Sequence, residues 1–318
     1  MAGMSNEDRP SLLLGRLMAY PSIQKLARAQ LHDWPDHVKV LEKSLADDDP
    51  AFLARTDALA ELVWKLVGEE IELYCADYHW MCIQFMEEQL FFRRNHRYRL
   101  QTFAEANAEI YGQISYMRRY VHGILLSQVF WRNHARAIDL FRTRFLPDNR
   151  RDYDHLDVGP GHGLFLAYAA GDSNCGSING WDVSESSIKA TEGALSRMGI
   201  ERPVSLILQD VLQAPPEAER FDSVIISEVL EHLERPDAAL GVLYSALRRG
   251  GRIFINVPVN SPAPDHIFLW RHPDEITALV EGQGLKIDES YTIPVTGKTM
   301  EEAIKQNIDI SCVVIAHK

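Results

Sequence analysis

A strand, a glycine-rich turn and a helix follow one another between Asp154 and Leu166, and this stretch constrains the fold more than any other. The apolar strand ends at Asp157, glycines occupy positions 159, 161 and 163, and an apolar run resumes at Leu164. Glycine allows a sharp turn and leaves no Cβ between the backbone and a bound ligand. The pattern predicts a βα unit whose turn holds a nucleotide of some kind.

Two further acidic residues follow short apolar strands downstream of this turn. Asp182 follows the strand predicted at 177–181, where its carboxylate could accept hydrogen bonds from both hydroxyls of a ribose. Asp210 ends the strand at 204–209, where it could hold an adenine amine. A dinucleotide-binding dehydrogenase fits less well, because the third glycine comes one position early and Phe165 stands where that fold has Gly or Ala.

The pattern of the chain changes near residue 150. Residues 10 to about 146 are helical in pattern, with predicted helices at 69–94, 103–127 and 128–145, and with Asp47, Asp48 and Asp49 placed to cap a helix that begins near Ala51. Strands then alternate with helices, at 153–158, 177–181, 204–209, 221–227, 252–257, 285–292 and 308–316. We expect an α/β fold with a Rossmann-like, seven-stranded, mostly parallel sheet at 149–318, preceded by an all-α N-terminal domain at 1–148.

Segments of the second half resemble the class I S-adenosylmethionine-dependent methyltransferases. The matching segments are Asp157-Val-Gly-Pro-Gly-His-Gly163, Trp181-Asp182, Gln209-Asp210-Val211, residues 221–232 and residues 247–258. The resemblance covers residues 150–318, and it implies a methyltransferase domain there with a helical cap that shapes the acceptor pocket. It also implies that S-adenosylmethionine is bound by Asp157, Gly159, Gly161, Gly163, Asp182, Val183, Asp210, Val211 and Ser227.

An acidic cluster, Ser227-Glu228-Val-Leu-Glu231-His232, lies where the fourth strand ends. On a helical turn Glu228, Glu231 and His232 would share a face. Two carboxylates and an imidazole suit a divalent cation. His266 lies in the proline-rich loop that leaves the fifth strand at the same edge of the sheet, and is a fourth candidate ligand.

This Glu-x-x-Glu-His pattern with a downstream His is similar to two metal-dependent branches of the superfamily, the small-RNA 2′-O-methyltransferases and the ubiquinone-pathway O-methyltransferases. The resemblance implies that Glu228, Glu231, His232 and His266 bind Mg, Mn, Fe or Zn, and that the cation binds the acceptor's oxygens and lowers the pKa of the hydroxyl. Two alternatives stay open. In the first the motif is structural: many members that bind no metal have Glu-Val-Leu-Glu-His here, where it starts the helix and orders the cofactor side. In the second the carboxylates hold a cationic amine or guanidinium acceptor directly. The candidate catalytic residues for proton transfer are Glu228, His232 and His266.

The net charge of −12 is concentrated in the second half, where residues 151–318 hold 14 Lys and Arg against 25 Asp and Glu. A nucleic-acid acceptor is disfavoured, because binding a phosphate backbone normally depends on Lys and Arg. We find no apolar run long enough to span a bilayer and no secretory signal, and the four cysteines lack a Cys-x-x-Cys pair. These features favour a cytoplasmic protein.

The leading hypothesis is a methyltransferase that acts on nitrogen or oxygen of a small metabolite in specialised biosynthesis, with a homodimer through the helical half as an open option. A metal-independent N-methyltransferase with a cationic acceptor is the first alternative. An RNA 2′-O-methyltransferase and a non-enzymatic, cofactor-binding scaffold are the other two.

Overall fold

The structure is a computed structural model that describes residues 8–45, 49–213 and 219–318. Its N-terminal half is helical, with α1 Arg9–Arg16, α2 Pro21–Asp33, α3 Val38–Ser44, α4 Pro50–Val67, α5 Ile71–Asn95, α6 Phe103–Ala106, α7 Ile114–Phe130 and α8 Arg132–Leu140. The later helices are α9 Leu164–Gly171, α10 Glu185–Met198, α11 Pro236–Ala246, α12 Pro273–Gly282 and α13 Met300–Gln306. The strands are β1 Tyr153–Val158, β2 Cys175–Asp182, β3 Ser205–Leu208, β4 Phe221–Ser227, β5 Leu247–Val259, β6 Lys286–Pro294 and β7 Ile310–His317.

The strands form one seven-stranded sheet in the order β3-β2-β1-β4-β5-β7-β6. Neighbours from β3 to β5 are parallel, and β7 runs antiparallel to both β5 and β6. The predicted Rossmann-like, mostly parallel sheet is therefore confirmed. Since parallel strands end at the same edge of a sheet, Asp157, Asp182, Ser227 and Asn256 lie along one edge.

The helical half is more broken than the sequence pattern predicts. The helix predicted at 103–127 divides into α6, a π-helical turn at Asn107–Tyr111, and α7. The helix predicted at 128–145 begins only at Arg132, because the backbone of Trp131 is extended. Asp49 caps α4 through a hydrogen bond from the Ala51 backbone N–H, whereas Asp47 and Asp48 lie outside the described residues.

One hydrophobic core joins the N-terminal helices to a face of the sheet. Phe254 of β5 and Ile315 of β7 point to this face and belong to the same buried cluster as Phe141, whose ring meets Phe254 edge-on at 5.5 Å. Neighbouring residues on a strand point to opposite faces, so Ile253 and Ile255 pack instead in the cluster under α11 and α12. Across the described residues, no helix combines the length and the apolar character needed to cross a bilayer.

Candidate active site

The glycine-rich turn between β1 and α9 forms one wall of the site. Gly159, Gly161 and Gly163 have φ values of +70°, +49° and +73°, in the region that L side chains rarely adopt. A Cβ at Gly159 would lie 2.6 Å from Cγ2 of Val229, while at Gly161 the nearest atom would be the Gly159 carbonyl oxygen at 3.9 Å. The turn is thus fixed by local packing at Gly159 and open for a ligand at Gly161.

Three acidic residues follow or end the first three strands, as predicted, but they differ in their hydrogen bonds. Asp157 is buried, and its Oδ2 has no partner among the described residues. Asp182 accepts hydrogen bonds from the Ser184 backbone N–H (2.9 Å) and the Ser187 hydroxyl (2.6 Å), which orient its carboxylate beside α10. Asp210 accepts from the Leu212 N–H and the Gln213 amide. Only Asp157 thus has a buried, unpartnered carboxylate oxygen among these three.

The end of β4 departs from the predicted helical turn. Glu228 has a φ of +54°, and the short 3-10 helix that follows spans only Leu230–His232. Asn256, its neighbour at the end of β5, donates hydrogen bonds to the Ser227 hydroxyl (3.0 Å) and to Oε1 of Glu228 (2.9 Å). Glu228 is therefore held by β5 rather than aligned with Glu231 and His232.

Glu231, His232 and His266 form a compact cluster with one ligand atom of each within 4.8 Å of the others. Nε2 of His232 lies 3.7 Å, and Nε2 of His266 3.9 Å, from Oε1 of Glu231. The backbone brings His266 here, because the Ile267 and Phe268 N–H groups both donate to the Glu231 carbonyl. The metal hypothesis included Glu228, which does not belong to this cluster.

Hydrogen bonds fix the tautomers of both histidines. Nδ1 of His266 lies 2.7 Å from the Ser261 carbonyl oxygen, and Nδ1 of His232 lies 3.1 Å from the Asp265 carbonyl oxygen. A carbonyl can only accept, so each Nδ1 carries a hydrogen, and in the neutral form of each ring the lone pair lies on Nε2. Both lone pairs therefore belong to the nitrogens nearest Glu231, whose two carboxylate oxygens are buried without a partner among the described residues.

Three tyrosines of the helical half support this cluster from the other side. The Tyr111 hydroxyl lies 3.0 Å from Nδ1 of His232 and donates to Oδ2 of Asp265 at 3.4 Å. Tyr120 donates to Oδ1 of Asp265 at 2.8 Å, and the Tyr98 hydroxyl accepts from the Ser261 N–H. The helical half is therefore part of the site.

A cavity of about 210 Å³ lies between the glycine turn, this cluster and helices α5, α7 and α8. Phe85, Tyr120 and Trp131 supply aromatic surface, and the described residues that line the cavity include no Lys or Arg. Five carboxylates line it, those of Asp157, Glu228, Glu231, Asp265 and Asp309. Such a cavity favours ligands that carry positive charge.

Burial dominates the protonation of these acids. It raises the pKa of Asp157 to about 8, with the charge of Asp182 adding to the effect. Burial and the charge of Asp309 raise the pKa of Glu228 to about 8, and burial raises that of Asp309 to about 7. The pKa of Glu231 rises well above its usual range through burial and the charge of Glu228. Burial lowers the pKa of His266 to about 4, and the neighbouring His232 adds to this effect.

The structure brings the predicted site residues to one edge of the sheet. The two valines differ in exposure: Val183, beside Asp182, is 59% exposed, whereas Val211 is buried. Asp265, Asp309 and Trp131 line the cavity but were not predicted. Asp265 could have been found from its place beside His266 in sequence. Asp309 and Trp131 carry no local signal, because the fold alone brings them together.

A family model described as methyltransferase domain matches residues 130–289. An uncharacterized protein of Synechococcus sp. is 33% identical over 164 residues, which are 48% of this chain and 36% of the relative. The mitochondrial ubiquinone biosynthesis O-methyltransferase of Candida albicans is 31% identical over 101 residues, 32% of this chain and 31% of the relative. The chain thus spans about a third of the length of the curated relatives it matches.

Among solved structures, the N-methyltransferase NodS from Bradyrhizobium japonicum is similar with a TM-score of 0.45 and 21% identity, covering 57% of this chain and 94% of that one. A SAM-dependent methyltransferase from Aquifex aeolicus has a TM-score of 0.40 and 15% identity, with coverage of 52% and 83%.

Proposed function

The chain belongs to the methyltransferase-domain family, and on that premise we propose that it transfers the methyl group of S-adenosylmethionine to an oxygen or nitrogen of a small-molecule acceptor. We further propose that a divalent metal bound by Glu231, His232 and His266 activates the acceptor. The observation that carries the metal proposal is the pair of Nε2 lone pairs beside a buried carboxylate with no other partner.

The residues of the turn fit the cofactor. When bound, S-adenosylmethionine supplies a methyl group on a positively charged sulfur together with an ammonium group, a ribose and an adenine. The unpartnered Oδ2 of Asp157 would accept a hydrogen bond from the ammonium, and the glycines leave the backbone accessible. Asp182 would hold the ribose hydroxyls, and Asp210 the adenine amine. Val183, Val211 and Ser227 would complete the pocket.

The residues of the cluster also fit a metal. Two neutral imidazoles and one carboxylate are a ligand set used for Zn²⁺ and for Fe²⁺, with positions left open for an acceptor. Each imidazole donates its other N–H to a backbone carbonyl, as metal-binding histidines usually do. When bound, the metal would hold the acceptor's oxygens and lower the pKa of the hydroxyl to be methylated.

The chain's own residues then have distinct tasks. Methyl transfer from sulfur is an in-line displacement, so the cavity contributes alignment of the acceptor with the methyl group. Glu228 lines the cavity and is held through Oε1 by Asn256, so it can accept the acceptor's proton. Asn256 is a positioning residue, since it also holds Ser227.

A metal-independent enzyme with a cationic acceptor is the second candidate, and one observation favours it. Five carboxylates line the cavity, and no Lys or Arg does so among the described residues. An ammonium or guanidinium would then take the place beside Glu231, held by charge-assisted hydrogen bonds.

Two measurements test these proposals. Calorimetry should show binding of S-adenosylhomocysteine to the purified chain, and no binding would reject methyl transfer. Elemental analysis should find about one divalent metal per chain in the wild type and in the control Glu192→Ala, whose side chain is exposed on α10. Glu231→Ala and His266→Ala should lose the metal while S-adenosylhomocysteine still binds.

Chelation separates the two candidates. If the chelator-treated enzyme methylates an oxygen acceptor at full rate, the metal role is contradicted. The metal-independent enzyme with a cationic acceptor then remains as the candidate. Turnover of S-adenosylmethionine with any acceptor excludes a scaffold without activity, and turnover with RNA alone would overturn the small-molecule assignment.

A further inference from the structure

Asp309 lines the cavity, although the proposed chemistry gives it no task. It directly precedes β7 and stands two residues before Ser311, so both side chains lie on the same face of the sheet. That face meets the start of α8, where the Asn133 amide donates to the Ser311 hydroxyl at 3.0 Å. Asp309 therefore lies under the helical half, immediately before strand β7 and not on the metal-cluster loop.

The carboxylate of Asp309 is incompletely satisfied. Ser261 makes a hydrogen bond to it, but Oδ1 is shielded from water and has no partner among the described residues. A buried polar atom without a partner loses its hydration without compensation. An N–H donor supplied by a ligand in the cavity would satisfy it.

The cofactor does not account for this oxygen. Its ammonium group has its own acid in the proposed binding mode, since Asp157 lies at the end of β1 beside the glycine turn and has its own unpartnered Oδ2. The metal cluster does not account for it either, because Asp309 is not one of the three grouped ligands. The oxygen is left for the acceptor.

Other residues that line the same cavity indicate what Asp309 would bind. The cavity wall formed by α5, α7 and α8 carries Phe85, Tyr120 and Trp131, and Phe85 meets Trp131 edge-on at 5.3 Å. The indole N–H of Trp131 donates to the Tyr78 hydroxyl at 2.8 Å, so the ring presents carbon surface to the cavity. Aromatic rings and a carboxylate attract a protonated amine together, through the ring quadrupole and a charge-assisted hydrogen bond.

Resting on the proposed methyl transfer, we propose that the acceptor is a small molecule with a protonated amine, that Asp309 holds this amine, and that Phe85 and Trp131 pack against its apolar body. The amine is an anchor separate from the metal cluster.

Three probes of one shape test this assignment: 2-phenylethylamine, which is protonated at neutral pH, the neutral 2-phenylethanol, and the anionic 3-phenylpropanoate. Each is titrated calorimetrically into the full chain saturated with S-adenosylhomocysteine. The amine should bind at least about tenfold more tightly than either analogue, the effect of one charge-assisted hydrogen bond. Asp309→Asn should remove this preference, and Asp288→Asn on β6, which pairs with His317, should retain it.

The three titrations of the wild type test the proposed amine binding even if Asp309→Asn fails to fold. Equal or weaker binding of the amine, or no binding of any probe, overturns the inference. An amine preference that survives in Asp309→Asn also overturns it, because another carboxylate would then hold the cation. If the wild type does not bind S-adenosylhomocysteine, the proposed methyl transfer is contradicted. If it binds S-adenosylhomocysteine but shows no preference for the amine, this inference alone is contradicted.

Discussion

Gly159 and Gly161 show that neighbouring glycines of one turn have different tasks. At Gly159 a side chain would collide with Val229, the residue that follows Glu228 in the chain. At Gly161 there is room for a Cβ on the protein side, so the space is available to a ligand. A change at Gly159 therefore displaces the acidic segment after β4 as well as the turn.

Gly159→Ala should lower both stability and cofactor affinity, because the new Cβ meets Val229 at 2.6 Å and the φ of +70° is strained for alanine. We expect a loss of about 1–3 kcal/mol in the free energy of unfolding, measured by urea denaturation. Gly193→Ala is the matched control: nothing lies within 4 Å of its Cβ, and it is in the interior of α10, where alanine is favoured. Equal effects of the two substitutions would contradict the steric account.

Asp182→Ala should weaken binding of S-adenosylhomocysteine by about 1.5–3 kcal/mol, the usual contribution of a hydrogen bond to a charged group. Calorimetry measures this dissociation constant directly. Ser187→Ala removes one of the two internal hydrogen bonds to the carboxylate but leaves the carboxylate in place, so its effect should be smaller. An unchanged dissociation constant in Asp182→Ala would show that the ribose lies elsewhere.

Sequence patterns predicted the single residues unevenly. The positions of Asp157 and Asp182 at the sheet edge were predicted correctly, because a strand end is visible in the sequence and fixes where a side chain lies. Glu228 was predicted to share a helical face with Glu231 and His232, but its φ of +54° breaks the turn. Periodicity assumes a regular backbone, and it fails where a non-glycine residue adopts a left-handed conformation.

At the scale of the elements, hydrogen bonds join the helical segment around α6 and α7 to the loop after β5. Backbone hydrogen bonds hold the loop to Glu231, and Tyr111 and Tyr120 hold the Asp265 carboxylate. The position of His232 thus depends on a segment more than 100 residues earlier in the chain. Metal affinity should respond to that segment.

Tyr111→Phe should lower metal affinity about tenfold, a usual cost when a hydrogen bond behind a ligating histidine is lost. Competition with a chromophoric chelator measures the affinity without reference to activity. Tyr116→Phe is the control, because the substitution keeps the ring that packs on Trp80 and Tyr120. If both variants bind metal as the wild type does, the support by Tyr111 is not needed.

Strands were predicted more accurately than the long helices. The predicted β4, 221–227, agrees with the structure to the residue, since both of its faces are buried and its apolar run is continuous. The segments 103–127 and 128–145 were predicted to form one or two helices, but the structure has breaks at Gly112 and Trp131. An apolar helix pattern does not reveal where tertiary contacts favour a break.

On the scale of the whole molecule, several acidic side chains with a raised pKa line the same cavity at one edge of the sheet. Asp157, Glu228 and Asp309 all have a raised pKa because burial disfavours their charged form. Their ionisation therefore opposes folding when no ligand is bound. A bound cation would reverse this effect.

Stability of the ligand-free chain should fall between about pH 6.5 and pH 8, where the histidines whose pKa burial lowers, such as His134 and His155, are neutral in both the folded and the unfolded state. A carboxyl group with a folded-state pKa near 8 and an unfolded-state pKa near 4 stabilises the fold fully below pH 4, and this contribution is lost as the pH rises. Each such group contributes up to about 1.4 kcal/mol per pH unit. Thermal unfolding with and without S-adenosylmethionine measures the effect.

The ligand should lower these pKa values, so its shift of the melting temperature should be larger at pH 8 than at pH 5.5. A shift that is equal at both values, or a ligand-free stability that rises between about pH 6.5 and pH 8, would contradict this account of the buried acids.

The family and the mostly parallel sheet could be predicted from sequence because the glycine turn and the alternation of strands and helices are local signals. The cavity could not, since Asp309 and Trp131 are distant in sequence and only tertiary packing brings them together. The division at residue 148, the homodimer through the helical half, the cytoplasmic location and a role in specialised biosynthesis stay predictions.

The shared core of helices and sheet has a practical consequence for anyone who cuts the chain. Starting a fragment at residue 149 would strip Phe141 from the sheet and leave Phe254 and Ile315 facing solvent. We expect such a fragment to aggregate during expression, so its inactivity would report lost solubility and would reveal nothing about how the acceptor is chosen.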